Sequence, residues 1–76
     1  MGEKTLEELG YERHGYGDKD QVIEYVKGAD TIQFYTEQNI YHAFTSFSNG
    51  KVSPMRMDMR TTYAILNTMK MLGMKP

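Results

Sequence analysis

The last third of the chain consists of Met55-Arg56-Met57-Asp58-Met59-Arg60-Thr61-Thr62-Tyr63-Ala64-Ile65-Leu66-Asn67-Thr68-Met69-Lys70-Met71-Leu72-Gly73-Met74. We predict one amphipathic helix here, from about Asp58 to Leu72. Asp58 suits the N-cap position, because a short side-chain oxygen there accepts a hydrogen bond from an amide of the first turn. Gly73 stands where a left-handed residue ends a helix, and Pro76 does not continue one. This helix is the only predicted element long enough to cover a small sheet.

Apolar residues recur along this helix at three- and four-residue spacing, which places them on one stripe. We predict that this stripe belongs to the core and comprises Thr62, Ile65, Leu66, Met69 and Leu72. The opposite face then carries Arg60, Ala64, Asn67 and Met71, with Tyr63, Lys70 and Met74 towards its edge. Exposed Tyr and Met among cations are typical of a partner-binding surface, for which the candidates are Arg60, Tyr63, Asn67, Lys70 and Met71. The alternative is that Tyr63 and Met71 lie half-buried against a neighbouring loop.

The N-terminal part predicts a short helix followed by an irregular segment. Thr5-Leu6-Glu7-Glu8 matches a capping box, in which the Thr5 hydroxyl bonds the Glu8 amide and the Glu8 carboxylate reaches back. Gly10 ends this helix, which is too short to be stable unless it docks onto the rest of the molecule. Residues 12–20 are rich in glycine and charge, which indicates a loop, or a loop after a short strand.

Three strand-like runs occupy residues 21–27, 31–35 and 40–47, with turns at 28–30 and 36–39. Asn49-Gly50 is a strong hairpin signal and predicts a return into a short fourth strand at about residues 51–53, which Pro54 confines to an edge. Ile32 and Phe34 alternate with Gln33, so one sheet face is apolar. We expect the other face to carry Gln33, Tyr35 and Tyr41.

The chain of 76 residues is therefore predicted to form a single α+β domain over residues 1–76. The predicted fold has a short N-terminal helix, a three- to four-stranded antiparallel meander and a C-terminal helix packed on one sheet face.

Composition narrows the cellular setting. The chain has no cysteine, which excludes disulfides and thiolate metal sites and fits a reducing cytoplasm. It shows no apolar signal core and no run that approaches a membrane span, so we expect no membrane association. The net charge of −1 hides an uneven distribution, because residues 1–30 carry −4 and residues 51–76 carry +4. Two interpretations are open: the two parts neutralise each other internally, or they form opposed surface patches.

No constellation predicts catalysis or a cofactor. His14 lies near Glu12, Asp18 and Asp20, but these residues lack the spacing of a metal site. The glycines lack the context of a phosphate-binding loop, and the serines lack a nucleophile elbow and a positioned base. We therefore predict a protein that is not an enzyme and has no catalytic residue, no metal site and no cofactor.

The order of elements is that of a double-stranded-RNA-binding domain, but such a domain needs a basic cluster at the start of its last helix. This chain offers only Arg56 and Arg60 there, interrupted by Asp58. Sheet tyrosines such as Tyr25, Tyr35 and Tyr41 stack on bases in other RNA-binding proteins, yet they more often pack against neighbouring strands. Nucleic-acid binding is thus not favoured.

Several short segments resemble a set of small proteins encoded by phages and prophages of low-GC Gram-positive bacteria. The resemblance lies in Leu6-Glu7-Glu8-Leu9-Gly10-Tyr11, Ile32-Gln33-Phe34-Tyr35, Ile40-Tyr41, Asp58, Ala64-Ile65 and Leu72-Gly73-Met74. The chain departs from those proteins at Met59-Arg60-Thr61-Thr62, where they usually carry an acidic first turn, at Met74, where they often carry Trp, and by an extra segment at residues 48–51. The resemblance implies an accessory protein of a mobile element that acts in the host cytoplasm, and it transfers no catalytic residue.

The residues and the resemblance together predict a small protein-binding module that acts on a host or phage protein. Binding would use the helix face or the open sheet face, and free sheet edges also allow a homodimer. The alternative is a weak nucleic-acid-binding accessory protein that uses the basic C-terminal third.

Overall fold

The computed structural model describes residues 4–16 and 21–75, except for the side chain of Tyr16. The fold is α+β, as predicted. A 3₁₀ turn (Glu7–Leu9) precedes five strands and one helix. The strands are β1 (Glu12–Tyr16), β2 (Val22–Lys27), β3 (Asp30–Tyr35), β4 (Ile40–Ser46) and β5 (Val52–Pro54), and the helix is α1 (Met59–Met71).

The five strands form one antiparallel sheet in the order β1-β2-β3-β4-β5. The predicted meander is confirmed, with five strands rather than three to four. Lys27 pairs with Asp30, so Gly28 and Ala29 alone connect β2 to β3. Gly28 has φ 61°, whereas Ala29 keeps a negative φ, which is the pattern of a type II′ turn. That turn matches the twist of the strands it joins.

The additional strand is β1, which lies within the segment predicted as a loop or a loop after a short strand. Its register pairs Arg13 with Tyr25 and Gly15 with Ile23. Charge and glycine obscured the strand in the sequence, because β1 is an edge strand whose residues lie mostly outside the core. Residues 17–20, predicted as loop, lie outside the described residues.

The β4–β5 hairpin forms as predicted, and its turn differs from the shortest Asn-Gly type. Ser46 pairs with Val52, the Phe47 amide donates to the Lys51 carbonyl oxygen, and the Gly50 amide donates to the Phe47 carbonyl oxygen. Only Gly50 is left-handed, with φ 83°. The connection is therefore a turn centred on residues 48–49 with a left-handed glycine after it, which is the common longer hairpin loop.

The C-terminal helix has the predicted caps. The Asp58 side chain accepts a hydrogen bond of 2.8 Å from the Thr61 amide, and the helix ends at the C-cap Leu72. Gly73 follows with φ 79°, and the Met74 amide donates to the Met69 carbonyl oxygen. Within the described residues, no helix is long and apolar enough to span a membrane.

The core lies between α1 and one face of the sheet. Antiparallel partners point to the same face, so Ile23, Tyr25, Ile32 and Phe34 form a patch that α1 covers. Tyr25 and Phe34 meet edge to face at 5.7 Å between ring centroids. The buried apolar residues are Leu6, Tyr11, Ile23, Tyr25, Ile32, Phe34, Met55, Ala64, Ile65, Met69 and Met74.

The buried side of α1 is rotated relative to the predicted stripe. Ile65 and Met69 are buried as predicted, but Thr62 is exposed and its hydroxyl bonds the Asp58 carbonyl oxygen. Ala64, predicted on the opposite face, is buried because its small side chain suits close approach to the sheet. Met74, also predicted towards that face, is buried because the chain turns back at Gly73.

The prediction that Tyr41 lies on the open sheet face is wrong. Tyr41 pairs with Phe34, so it lies on the same face as the core, 6.2 Å from the Phe34 ring. It remains half-exposed at the rim of that face. Gln33 and Tyr35 do lie on the open face, as predicted.

The predicted N-terminal helix is a single 3₁₀ turn. The Glu8 carboxylate accepts a 2.9 Å hydrogen bond from the Thr5 amide, as a capping box requires. The Thr5 hydroxyl, however, contacts this same carboxylate at 3.4 Å and not the Glu8 amide, so only half of the box forms. Gly10 ends the turn with φ 101°.

Candidate partner-binding surfaces

The solvent-facing side of α1 holds most of the predicted partner-binding residues. Arg60 and Lys70 are exposed, Tyr63 is 52% exposed and Met71 is 51% exposed. The exposed fractions of Tyr63 and Met71 therefore do not favour packing against a loop over an open surface. We call this side of the helix, with Met59, Arg60, Tyr63, Lys70 and Met71, the helix face.

Met59 was missed as a candidate. It begins α1 and is 66% exposed, the largest fraction among the large apolar side chains of the described residues. Its position one turn before Tyr63 could have revealed it, since residues four apart lie side by side on a helix.

Asn67, the remaining candidate, has a structural role. Its side-chain amide donates a 3.0 Å hydrogen bond to the Lys4 carbonyl oxygen. At the next residue of the helix, the buried Thr68 hydroxyl accepts a 3.0 Å hydrogen bond from the Leu6 amide. These two side chains attach the N-terminal segment to α1. Asn67 is therefore half-buried, and less of its side chain is accessible to a partner than is the case for its exposed neighbours.

The second candidate surface is the sheet face opposite α1, which we call the open face. Three cross-strand rows define its centre, because directly paired residues share a face. Val22, Tyr35 and Ile40 form the first row, and His14, Glu24, Gln33 and His42 form the second. Glu12, Val26, Thr31, Phe44 and Pro54 form the third. A polar row therefore runs between two mainly apolar rows.

Hydrogen bonds order the middle of the open face. The Gln33 side-chain amide donates to the Glu24 carboxylate at 2.9 Å, and the Tyr35 hydroxyl donates to the Gln33 side-chain oxygen at 3.1 Å. The Tyr35 ring lies 5.2 Å from the His42 ring. These contacts hold an aromatic ring and a carboxylate in defined positions on the sheet face opposite α1.

Charge divides the two surfaces. None of the described strand residues that point to the open face is Lys or Arg, whereas Glu12 and Glu24 both point there. The helix face carries Arg60 and Lys70. Among ion pairs that join two described residues, only Glu12–His14 is present, at 3.2 Å. Among the described residues, the open face is therefore acidic and the helix face is basic.

The histidine site considered from the sequence consists, in the described residues, of the Glu12–His14 pair alone. Asp18 and Asp20 lie outside the described residues. Nowhere in residues 4–16 and 21–75 do three His, Asp or Glu side chains gather as metal ligands would. His42 lies in the same cross-strand row on β4, separated from His14 by Glu24 and Gln33, and its ring is beside that of Tyr35.

A polar notch of about 220 Å³ lies at the start of α1. Lys4, Lys27 and Arg60 line it, opposed by Glu8 and Asp58. Lys27 is already engaged, because its Nζ donates to the Leu9 carbonyl oxygen at 2.8 Å and lies 5.7 Å from the centre of the Tyr11 ring. Burial raises the pKa of Tyr11, and the Asp30 and Asp58 carboxylates raise it further, so this phenol stays neutral and is no base.

Comparison of the chain with protein-family models, with curated proteins and with solved structures finds no match.

Proposed function

We propose that this protein is a small, non-enzymatic accessory module that binds a host or phage protein through its helix face. The observation that carries the proposal is the exposure of Met59, Tyr63 and Met71, each more than half accessible, on a helix that also presents Arg60 and Lys70. Aromatic, Met and Arg side chains are the residues enriched in protein interfaces. The resemblance of short segments to phage and prophage proteins supports an origin in a mobile element and action in the host cytoplasm.

The chemistry of the helix face specifies its partner. Arg60 and Lys70 lie near opposite ends of the helix with Tyr63 between them, so the complementary surface has two acidic regions and an apolar recess for Tyr63 between those regions. Met59 and Met71 lie beyond the two cations, at the ends of the helix. The recess would take the tyrosine ring, since rings that fill pockets at the centre of an interface contribute most of the binding energy.

The test is a pull-down from Gram-positive host lysate, with the tagged chain and with lysate divided into nuclease-treated and untreated halves. We expect one stoichiometric protein in both halves. Tyr63→Ala should weaken its binding by at least about tenfold. Phe47→Ala is the matched control, because Phe47 is an aromatic residue with the same 52% exposure and lies in the β4–β5 turn instead of on α1.

Equal loss of binding in both variants would show that general surface hydrophobicity, and not the helix face, captures the protein. Binding that disappears with nuclease would instead favour the alternative function, nucleic-acid binding by the basic C-terminal third. In that case an Arg56→Ala/Arg60→Ala double variant should lower affinity and reduce its salt dependence. The open face gives this alternative no support, since its described strand residues supply aromatic rings without any Lys or Arg to contact phosphates.

A further inference from the structure

The open face ends in a cleft that the helix-face function does not use. The cleft has a volume of about 250 Å³ and is lined by Gln21, Val22, Tyr35, Glu37 and Gln38. It lies where the first row of the open face meets the turn between β3 and β4. Val22 and Tyr35 are direct partners across β2 and β3, so an aliphatic side chain and an aromatic ring stand side by side at its entrance.

The polar side of the cleft is rich in acceptors. The Glu37 carboxylate is exposed and accepts one hydrogen bond, 3.3 Å long, from the Gln21 side-chain amide. The side chains of Gln21 and Gln38 each contribute a carbonyl oxygen. No Lys or Arg lines the cleft among the described residues. A carboxylate beside a ring and an aliphatic side chain matches the guanidinium and the apolar stem of an arginine.

The rest of the open face has the same sign. Glu24 and Glu12 point to it, and the described strand residues add no cation. The Tyr35 ring is held by its hydroxyl bond to Gln33 and by contact with His42, so it is ordered before any ligand arrives. An ordered site loses less conformational freedom when it binds.

We propose that the open face is a second docking surface that binds a basic segment of a protein partner, with one arginine side chain of that partner in the cleft. The arginine stem lies along Val22 and the Tyr35 ring, and the guanidinium donates to the Glu37 carboxylate. The apolar residues Ile40 and Phe44 then contact the flanking residues of the segment. The protein thereby presents a basic, apolar face on α1 and an acidic, aromatic face on the opposite side of the molecule.

The anchor is tested with the full chain, labelled with ¹⁵N, and N-acetyl-arginine N-methylamide as the probe. The matched probe is the citrulline analogue, which has the same shape and no charge. We expect the arginine probe to cause saturable shifts of the backbone amides of Val22, Tyr35, Glu37 and Gln38, with an affinity in the millimolar range. The citrulline probe should leave those amides unchanged.

Two substitutions vary the charge of the cleft in opposite directions. Glu37→Gln should weaken binding of the arginine probe by about twofold to fivefold, the range for an exposed ion pair, and Gln38→Glu should strengthen it by a similar factor. Glu7→Gln removes the same charge from the 3₁₀ turn, outside the open face, and should have no effect. If Glu37→Gln perturbs the turn, its loss of affinity is not informative, and the gain of affinity expected for Gln38→Glu still tests the proposal.

Equal shifts with the citrulline probe, shifts spread over all acidic residues, or unchanged affinity in both cleft variants would overturn the proposal. Shifts on both faces that grow with the concentration of the protein alone would also overturn it, because they would assign the open face to the helix face of a second copy. Tyr63→Ala should leave affinity for the arginine probe unchanged, so failure of the cleft and failure of the helix face are distinguishable.

Discussion

Single polar atoms decide how the N-terminal segment is attached to the core. Thr68 is completely buried, and its hydroxyl accepts the hydrogen bond of the Leu6 amide across 62 positions of sequence. Leu6 is itself completely buried beside it. The side chain of a helix residue thus provides the partner that a buried backbone amide requires.

Thr68→Val should therefore destabilise the protein although it preserves the shape of the side chain. It leaves the Leu6 amide buried without its acceptor, which costs about 1–3 kcal/mol of the free energy of unfolding. Urea denaturation followed by circular dichroism measures this loss. The control is Thr62→Val, the same change at an exposed position of the same helix. Similar losses in the two variants would indicate that the helix propensity of valine, and not the buried hydrogen bond, is responsible.

The Asp58 carboxylate makes stability depend on pH. The pKa of Asp58 is lowered below its ordinary value of 3.8. The largest cause is the hydrogen bond from the Thr61 amide, the second is the hydrogen bond from the Thr61 hydroxyl, and nearby Arg60 contributes in the same direction. Between the lowered and the ordinary pKa, the unfolded chain binds more protons than the folded one. The contribution of Asp58 is therefore complete above pH 3.8 and is lost as the pH falls through the lowered pKa.

Asp58→Asn keeps an N-cap acceptor but does not titrate, so the variant isolates this effect. We expect the difference in Tm between the wild-type chain and the variant to be constant from pH 7 to about pH 4 and to shift against the wild type at lower pH. Thermal melts from pH 7 to pH 2 measure it. If the two Tm curves stay parallel down to pH 2, the capping bond does not couple folding to protonation at Asp58.

At the scale of elements, the C-terminus of α1 is secured by a turn rather than by another helix. Asn39 is the only described residue other than glycine with a positive φ, 58°. Its side chain accepts a hydrogen bond of 2.7 Å from the Lys75 amide and donates one of 2.9 Å to the Lys75 carbonyl oxygen. One side chain thus shapes the β3–β4 turn and attaches the end of the chain to it.

Two substitutions at Asn39 separate these roles. Asn39→Gly retains the left-handed conformation and removes both hydrogen bonds, which should cost about 1–2 kcal/mol and accelerate hydrogen exchange of the Lys75 amide. Asn39→Ala removes the same bonds and adds the strain of a left-handed alanine, about 1 kcal/mol more. Exchange measured by NMR, together with urea denaturation, checks both values. Unchanged exchange at Lys75 in the two variants would contradict the attachment.

The two edge strands of the sheet are poorly suited to pairing with a further strand. On one side, β5 has three residues and closes with Pro54, which cannot donate to a further strand. On the other side, β1 has five residues that include Gly15. A short strand with proline and a strand interrupted by glycine both discourage pairing with another sheet. This is a reason to place the binding surfaces on the faces of the molecule instead of its edges.

At the scale of the whole molecule, two layers leave two surfaces of opposite character. The extents are 35 by 34 by 18 Å, and the short axis accommodates one sheet and one helix. No third layer among the described residues covers the open face, whose mixed apolar and acidic rows are exposed or partly buried. The helix α1 has one buried side, which leaves Tyr63 and its cationic neighbours in solvent on the other. The two proposed docking surfaces therefore lie on opposite sides of this two-layer molecule.

Much of the architecture was predictable from local pattern. The alternation of Ile32 and Phe34 with Gln33 identified β3 and its buried face, and Asp58 and Gly73 marked the limits of α1 within one residue. The strand β1 was predicted only as one of two alternatives, a loop or a loop after a short strand, because the residues Glu12, Arg13 and Gly15 have no apolar alternation. Of the candidate surface residues, Arg60, Tyr63, Lys70 and Met71 are accessible, whereas Asn67 is committed to the Lys4 carbonyl oxygen.

Interactions between neighbours along the chain specify the class of fold, the turns at Gly28 and Gly50 and the capping of α1, and these features were predictable. The side of each element that meets the core depends on packing between elements that are distant in sequence. A helix can rotate about its axis at little local cost, so the burial of Ala64 and the exposure of Thr62 follow from packing on the sheet. Strand register has the same effect. Because Tyr41 pairs with Phe34, it lies on the core face, although the sequence predicted the open face.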